Sequence, residues 1–164
     1  IGIYRNYNGP KKGSKDNMRD VYENILYTDY SNKWNFSNFT PQVVCVNLGT
    51  NDTSTEPYDA MLIIQGYQEF LKTLRNHYPK AKIVFVTGSM LNGKSLEDVT
   101  TILDLVVAEA KANGDKNVFR IDLTPSDGSL GYGADWHPSI AQNIKSSEEF
   151  ISALEEITGW KRKK

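Results

Sequence analysis

Two short polar stretches hold residue types that can do chemistry, Gly49-Thr50-Asn51-Asp52 and Asp135-Trp136-His137-Pro138. The Asn51 side-chain amide can donate hydrogen bonds to a negatively charged oxygen, and the glycine before it permits a sharp turn. The His137 imidazole can take up a proton near physiological pH, which suits a general base. Each stretch alone also has a plain reading. Asn and Asp are common in turns and helix caps, and a histidine beside a tryptophan is more often a packing residue. His77 is the internal control: it falls late in a helix, where positive charge suits the terminal dipole, and needs no function.

The elements around these stretches decide whether they can meet. Residues 43–48, Val-Val-Cys-Val-Asn-Leu, read as a strand buried on both faces, with Cys45 as a small buried hydrophobe. In an open parallel sheet, ligands sit just beyond the carboxyl ends of strands, where Asn51 falls. Upstream, Met18, Val21, Tyr22, Ile25 and Leu26 recur at helical spacing, with Asp16 or Asn17 as a cap. Downstream, Ile63, Tyr67, Phe70, Leu71, Leu74 and Tyr78 form one helical stripe that Pro79 ends. Residues 83–87 and 118–123 read as further strands. Between them lies a helix carrying Val99, Ile102, Leu103, Val106 and Val107, with Ser95 as its cap and Asp98 completing an imperfect capping box. A glycine-rich loop over residues 126–134 then leads to His137, and a last helix starts near Ser139. Alternation of strand and helix at these lengths predicts an α/β fold, a three-layer α/β/α sandwich on a parallel sheet. Asp52 reads as a local cap or turn brace.

At 164 residues the chain suits one domain over residues 1–160, followed by a basic tail, 161–164. The formal net charge of −1 argues against nucleic acid as a partner. No stretch has the apolar length of a membrane span. Two histidines and one cysteine, far apart in sequence, suggest no metal site, and no cofactor is expected. A flavodoxin-like nucleotide or response-regulator reading lacks both a glycine-rich phosphate loop after a strand and an acidic metal cluster.

Taken together, Gly-Thr-Asn-Asp after one strand and Asp-Trp-His-Pro before the last helix resemble the SGNH (GDSL-like) hydrolases, serine esterases of flavodoxin-like fold. More narrowly, the chain resembles the second carbohydrate-esterase family, which removes acetyl groups from plant polysaccharides such as xylan. The segment Gly2-Ile3-Tyr4-Arg5-Asn6-Tyr7, Trp34-Asn35-Phe36, Pro41 through Asp52 and the closing Gly159-Trp160 carry the likeness over nearly the whole chain. The resemblance implies that His137 is the general base, Asn51 the side-chain oxyanion donor and Gly2 the backbone donor. It implies acetylated carbohydrate as the substrate, with Trp136, Tyr4 and Asn6 as binding residues, and a secreted, cell-surface or periplasmic setting.

Two departures from the family pattern bear on chemistry. The family acid lies three residues before the histidine, which here is Ala134; Asp135 is two before, so either its carboxylate or a backbone carbonyl orients the imidazole. The family nucleophile belongs to a Gly-Asp-Ser block after the first strand, and no such block is present. Of the serines that follow a glycine, Ser14, Ser89 and Ser129, only Ser89 falls at the expected sheet edge, and its surroundings do not match. The expectation is therefore a domain that lacks its first strand, with the serine supplied by an amino-terminal segment outside this chain. The competing expectation is a non-catalytic carbohydrate-binding module, using loop aromatics such as Trp34, Trp136, Tyr4, Tyr7 and Tyr132 as stacking surfaces.

Overall fold

The computed structural model describes residues 1–5, 16–27 and 29–163. Three parallel strands, β1 (Val43–Val46), β2 (Lys82–Thr87) and β3 (Val118–Asp122), lie side by side in that order. Val44 pairs with Ile83 and Val46 with Phe85, while Ile83 pairs with Val118 and Val86 with Ile121. Each crossover is helical, as parallel strands require. α3 (Ala60–His77) joins β1 to β2 and α4 (Gly93–Ala112) joins β2 to β3. α5 (Ile140–Thr158) closes the chain, and two single-turn helices precede these, α1 (Met18–Val21) and α2 (Thr50–Thr53).

The period-two alternation of β2 assigns its two faces. Ile83 and Phe85 pack with Ile63, Tyr67, Phe70 and Leu74 of α3 and with Val99, Leu103 and Val106 of α4. Val84 and Val86 point the other way, with Ile121, onto Phe150, Leu154 and Ile157 of α5. That is a three-layer α/β/α arrangement. Full burial of each such apolar side chain contributes about 1.5–3 kcal/mol, so the stripe of α3 outweighs any helix propensity in fixing it. Asp59 caps α3 by accepting the N–H groups of Met61 and Leu62, and Ser139 caps α5 by accepting that of Gln142. Gly159, at φ +74°, closes α5 in a left-handed turn.

Several local expectations are corrected. The stripe over residues 18–26 forms only one helical turn, capped by Asn17. Ile25 and Leu26 are exposed, because the chain turns back through Ile25 N–H to Asn32 and Trp34 N–H to Glu23. Ser95 does not cap α4: its hydroxyl donates to the Thr53 carbonyl, and Asp98 binds Lys94 and Tyr58. Cys45 is not buried. Among the described residues β1 has a strand neighbour on one side only, and the Cys45 side chain, on the α5 side of the sheet, is exposed. Surrounding apolar groups still push its thiol pKa up. His77 lies in the last turn of α3 as expected, stacked on Phe36 at 3.6 Å between ring centroids, with its Nε2 2.7 Å from Glu23. In the basic tail, Arg162 folds back onto α5, bonding Glu148 and Glu155.

Candidate active site

The turn after β1 is built from the inside out. Gly49 has φ +103°, and a Cβ there would meet the Tyr67 hydroxyl at 3.1 Å and Val99 at 3.2 Å. Backbone freedom and close packing therefore both demand glycine. The turn leads directly into α2, whose Thr53 hydroxyl donates to the Gly49 carbonyl. α2 presents two neighbouring side chains in different directions. Asp52 points inward and is wholly buried; Asn51 is partly exposed.

The Asp52 carboxylate takes three main-chain N–H groups from the start of the chain: Ile3 at 2.8 Å, Tyr4 at 2.9 Å and Arg5 at 3.1 Å. A buried carboxylate must be compensated by donors, and here the backbone supplies them. Asp52 is thus no local brace: it ties together segments 47 to 49 residues apart. Beside it, the Asn51 amide donates to the Ile1 carbonyl at 3.2 Å. Below, the Tyr67 hydroxyl is fully buried with no hydrogen-bond partner among the described residues; burial and then the Asp52 charge push its pKa far up.

The second half of the site lies on the connection from β3 to α5, at the same carboxyl edge of the sheet. The loop is pinched shut where Tyr132 bridges Pro138 and the Gly133 N–H donates to the His137 carbonyl at 2.7 Å. Asp135 and Trp136 both have positive φ, +49° and +61°. Such a conformation is costly for side-chain-bearing residues and is a recurrent feature of functional loops. It lets the chain curl so that the His137 Nδ1 faces two main-chain oxygens, Ala134 at 3.0 Å and Asp135 at 3.1 Å. Both are acceptors, so Nδ1 carries a proton, and in the neutral ring the lone pair is then on Nε2. His137 is exposed, and Trp136 beside it is 77% exposed, edge-to-face with Tyr132 at 5.3 Å.

The residues singled out from sequence fare unequally. Gly2 and Asn51 come together on either side of Ile1. The Gly2 N–H, however, is engaged by the Arg5 carbonyl at 2.5 Å, so it is not held open as a donor. What the position does require is the absence of a side chain, since a Cβ would sit 2.4 Å from both Asp52 oxygens. Tyr4 is corrected outright. It is 2% exposed within the core, with its hydroxyl on Arg5 and Asp59, and offers no face to a sugar. Asn6, Tyr7 and Ser14 lie outside the described residues. Of the two alternatives for orienting His137, its Nδ1 faces backbone carbonyls, those of Ala134 and Asp135. Ser89 follows β2 at the sheet edge but is largely buried, with its carbonyl bound to the Ser126 N–H.

Sequence reading passed over Arg5. Its buried guanidinium donates to the Thr55 and Pro57 carbonyls and to the Tyr4 hydroxyl. A lone arginine directly after Ile-Gly-Ile-Tyr was the available signal, because a cation inside an apolar segment needs partners wherever it lands.

Residues 6–150 match the GDSL-like Lipase/Acylhydrolase family. The chain belongs to that family. It is 36% identical over 161 residues to the Cellulase/esterase CelE of Acetivibrio thermocellus, spanning 98% of this chain and 19% of that protein. It is 29% identical to an acetylxylan esterase / glucomannan deacetylase of Cellvibrio japonicus, spanning 97% of this chain and 42% of that one. Among solved structures it superimposes, at a TM-score of 0.90 and 35% identity, on a family two carbohydrate esterase from Clostridium thermocellum in complex with cellohexaose. There it spans 98% of this chain and 48% of that one. The GDSL-like chain thus spans less than half the length of these relatives.

Proposed function

We propose that this GDSL-like chain forms the base-and-oxyanion part of a serine esterase that removes acetyl groups from carbohydrate, with the nucleophilic serine contributed by polypeptide outside it. The observation that carries this reading is the His137 ring. With Nδ1–H given to the Ala134 and Asp135 carbonyls, the neutral ring has its lone pair on Nε2, and the residue is exposed. That is the state a general base needs to take a serine proton and return it to the leaving sugar oxygen.

The Asn51 amide has two N–H groups, one engaged by Ile1, and the second can meet the oxyanion that develops on the acetyl carbonyl. Trp136 and Tyr132 supply exposed aromatic surface next to the base, suited to the apolar face of a sugar ring. The substrate class is an acetylated plant polysaccharide such as xylan, and a protein acting on it works outside the cytoplasm or at the cell surface. A second reading, carbohydrate binding without catalysis, rests on the same aromatic pair.

The test is acetate release from acetylated xylan by the full-length protein. His137→Ala is expected to lower turnover by about a thousandfold while cellohexaose affinity stays. Retained turnover removes His137 from the mechanism, and binding with no acetate release in the parent protein establishes the second reading. The chain by itself is expected to hydrolyse no acetyl ester; hydrolysis abolished by Ser89→Ala would place the nucleophile inside it.

A further inference from the structure

Asp52, with Arg5, is a buried charged group that the proposed chemistry leaves without a task. Its neighbour Asn51 is the expected oxyanion donor, and α2 carries both. Both carboxylate oxygens are engaged, Oδ2 by Ile3 and Oδ1 by Tyr4 and Arg5. Gly2 lets the chain pass so close that any side chain there would overlap the carboxylate. The Asn51 amide meets the Ile1 carbonyl immediately before this clasp.

We infer that Asp52 is a positioning residue for the oxyanion site, acting through the Ile1–Arg5 backbone on Asn51. A bare asparagine amide on one turn of helix can rotate about its side-chain bonds. Here the Ile1 carbonyl fixes one of its N–H groups and so aims the other, and the carbonyl stays in place because the next residues are clasped by Asp52. Arg5 closes the far side, holding the Thr55 and Pro57 carbonyls beyond α2. The same few residues therefore hold α2 from both ends. An oxyanion donor stabilises a transition state only if it is already aimed, so loosening this clasp costs turnover before it costs substrate binding.

This inference rests on the esterase reading, and Asp52→Asn tests it in the full-length protein. The substitution keeps the volume but sets an NH2 group against a backbone N–H. Turnover on acetylated xylan is expected to fall roughly 10- to 100-fold, the fold-change set by losing a hydrogen bond to a charged group. Affinity for a boronic acid that mimics the tetrahedral intermediate should fall in parallel, while cellohexaose affinity changes less than about twofold. In the same variant, amide hydrogen exchange should speed up at Ile3, Tyr4 and Arg5 and stay unchanged along β2. Turnover within threefold of the parent, or equal losses in boronate and cellohexaose affinity, overturns the inference. If the parent releases no acetate, the esterase reading fails instead, and the exchange pattern reports on the clasp alone. Should Asp52→Asn not fold, Asp52→Ser is read by the same measurements.

Discussion

The two halves of the candidate site are held in opposite ways. Asn51 sits on a joint made of contacts between residues about fifty apart in sequence, centred on a carboxylate with no exposure at all. His137 sits on an exposed loop held, among the described residues, by bonds between near neighbours in residues 128–139. The amide half is fixed by the folding of the whole domain, and the imidazole half by local backbone strain. Damage to the first should therefore appear as lost stability and lost activity together. Damage to the second should appear as lost activity in a protein that still folds.

Gly2→Ala should break the first half most severely. The added Cβ lies 2.4 Å from both Asp52 oxygens, well inside any tolerable contact, and the carboxylate is walled in by backbone. Either the clasp opens, exposing a buried charge, or the segment 1–5 is displaced. Overpacking together with loss of charged hydrogen bonds is expected to cost about 3 kcal/mol, measured as a shift in denaturant midpoint at unchanged slope. A change under about 0.5 kcal/mol would show that the joint yields and that the two halves do not differ as described.

The same contrast explains what was legible in the chain. The three strands, α3 and α5 follow from hydrophobic period and from Pro79 and Ser139, since packing one face of each decides them. The stripe at residues 18–26 misled because its spacing is helical while half of it faces solvent. Asn51 and His137 were legible as residue types at sheet-edge positions. Asp52 and Arg5 were not, because their partners are backbone groups brought together by tertiary folding, and sequence spacing carries no trace of such bonds. Tyr4 failed for the same reason: an aromatic beside a predicted loop gives no sign that the core closes over it.

A smaller effect tests the second half. Asp135→Asn keeps a residue type that tolerates positive φ and removes only the charge. Because Nδ1 faces main-chain oxygens, turnover on acetylated xylan is expected to stay within about tenfold of the parent, with stability unchanged. In a site whose acid holds the imidazole, the corresponding change costs about ten-thousandfold. A loss of that size would return the orienting role to the carboxylate.

The smallest effect comes from another locally built loop, and it separates local from global construction by pH. Asp29 accepts the Asn32 amide at 2.6 Å, the Ser31 hydroxyl at 2.6 Å and the Ser31 N–H at 3.0 Å. These bonds, that from Asn32 foremost, lower its carboxyl pKa from 3.8 to about 2. A lowered folded-state pKa means that the carboxylate's contribution is complete above the ordinary value and is lost as pH falls through about 2. The Ser31 amide resonance should therefore titrate with a midpoint near 2, and Asp29→Asn should abolish that step. Among the described residues the Asp29 carboxylate bonds only to Ser31 and Asn32, so amides along β2 should not follow the same midpoint. If they do, the loop is coupled to the sheet, and the division between locally and globally held parts of this molecule is drawn in the wrong place.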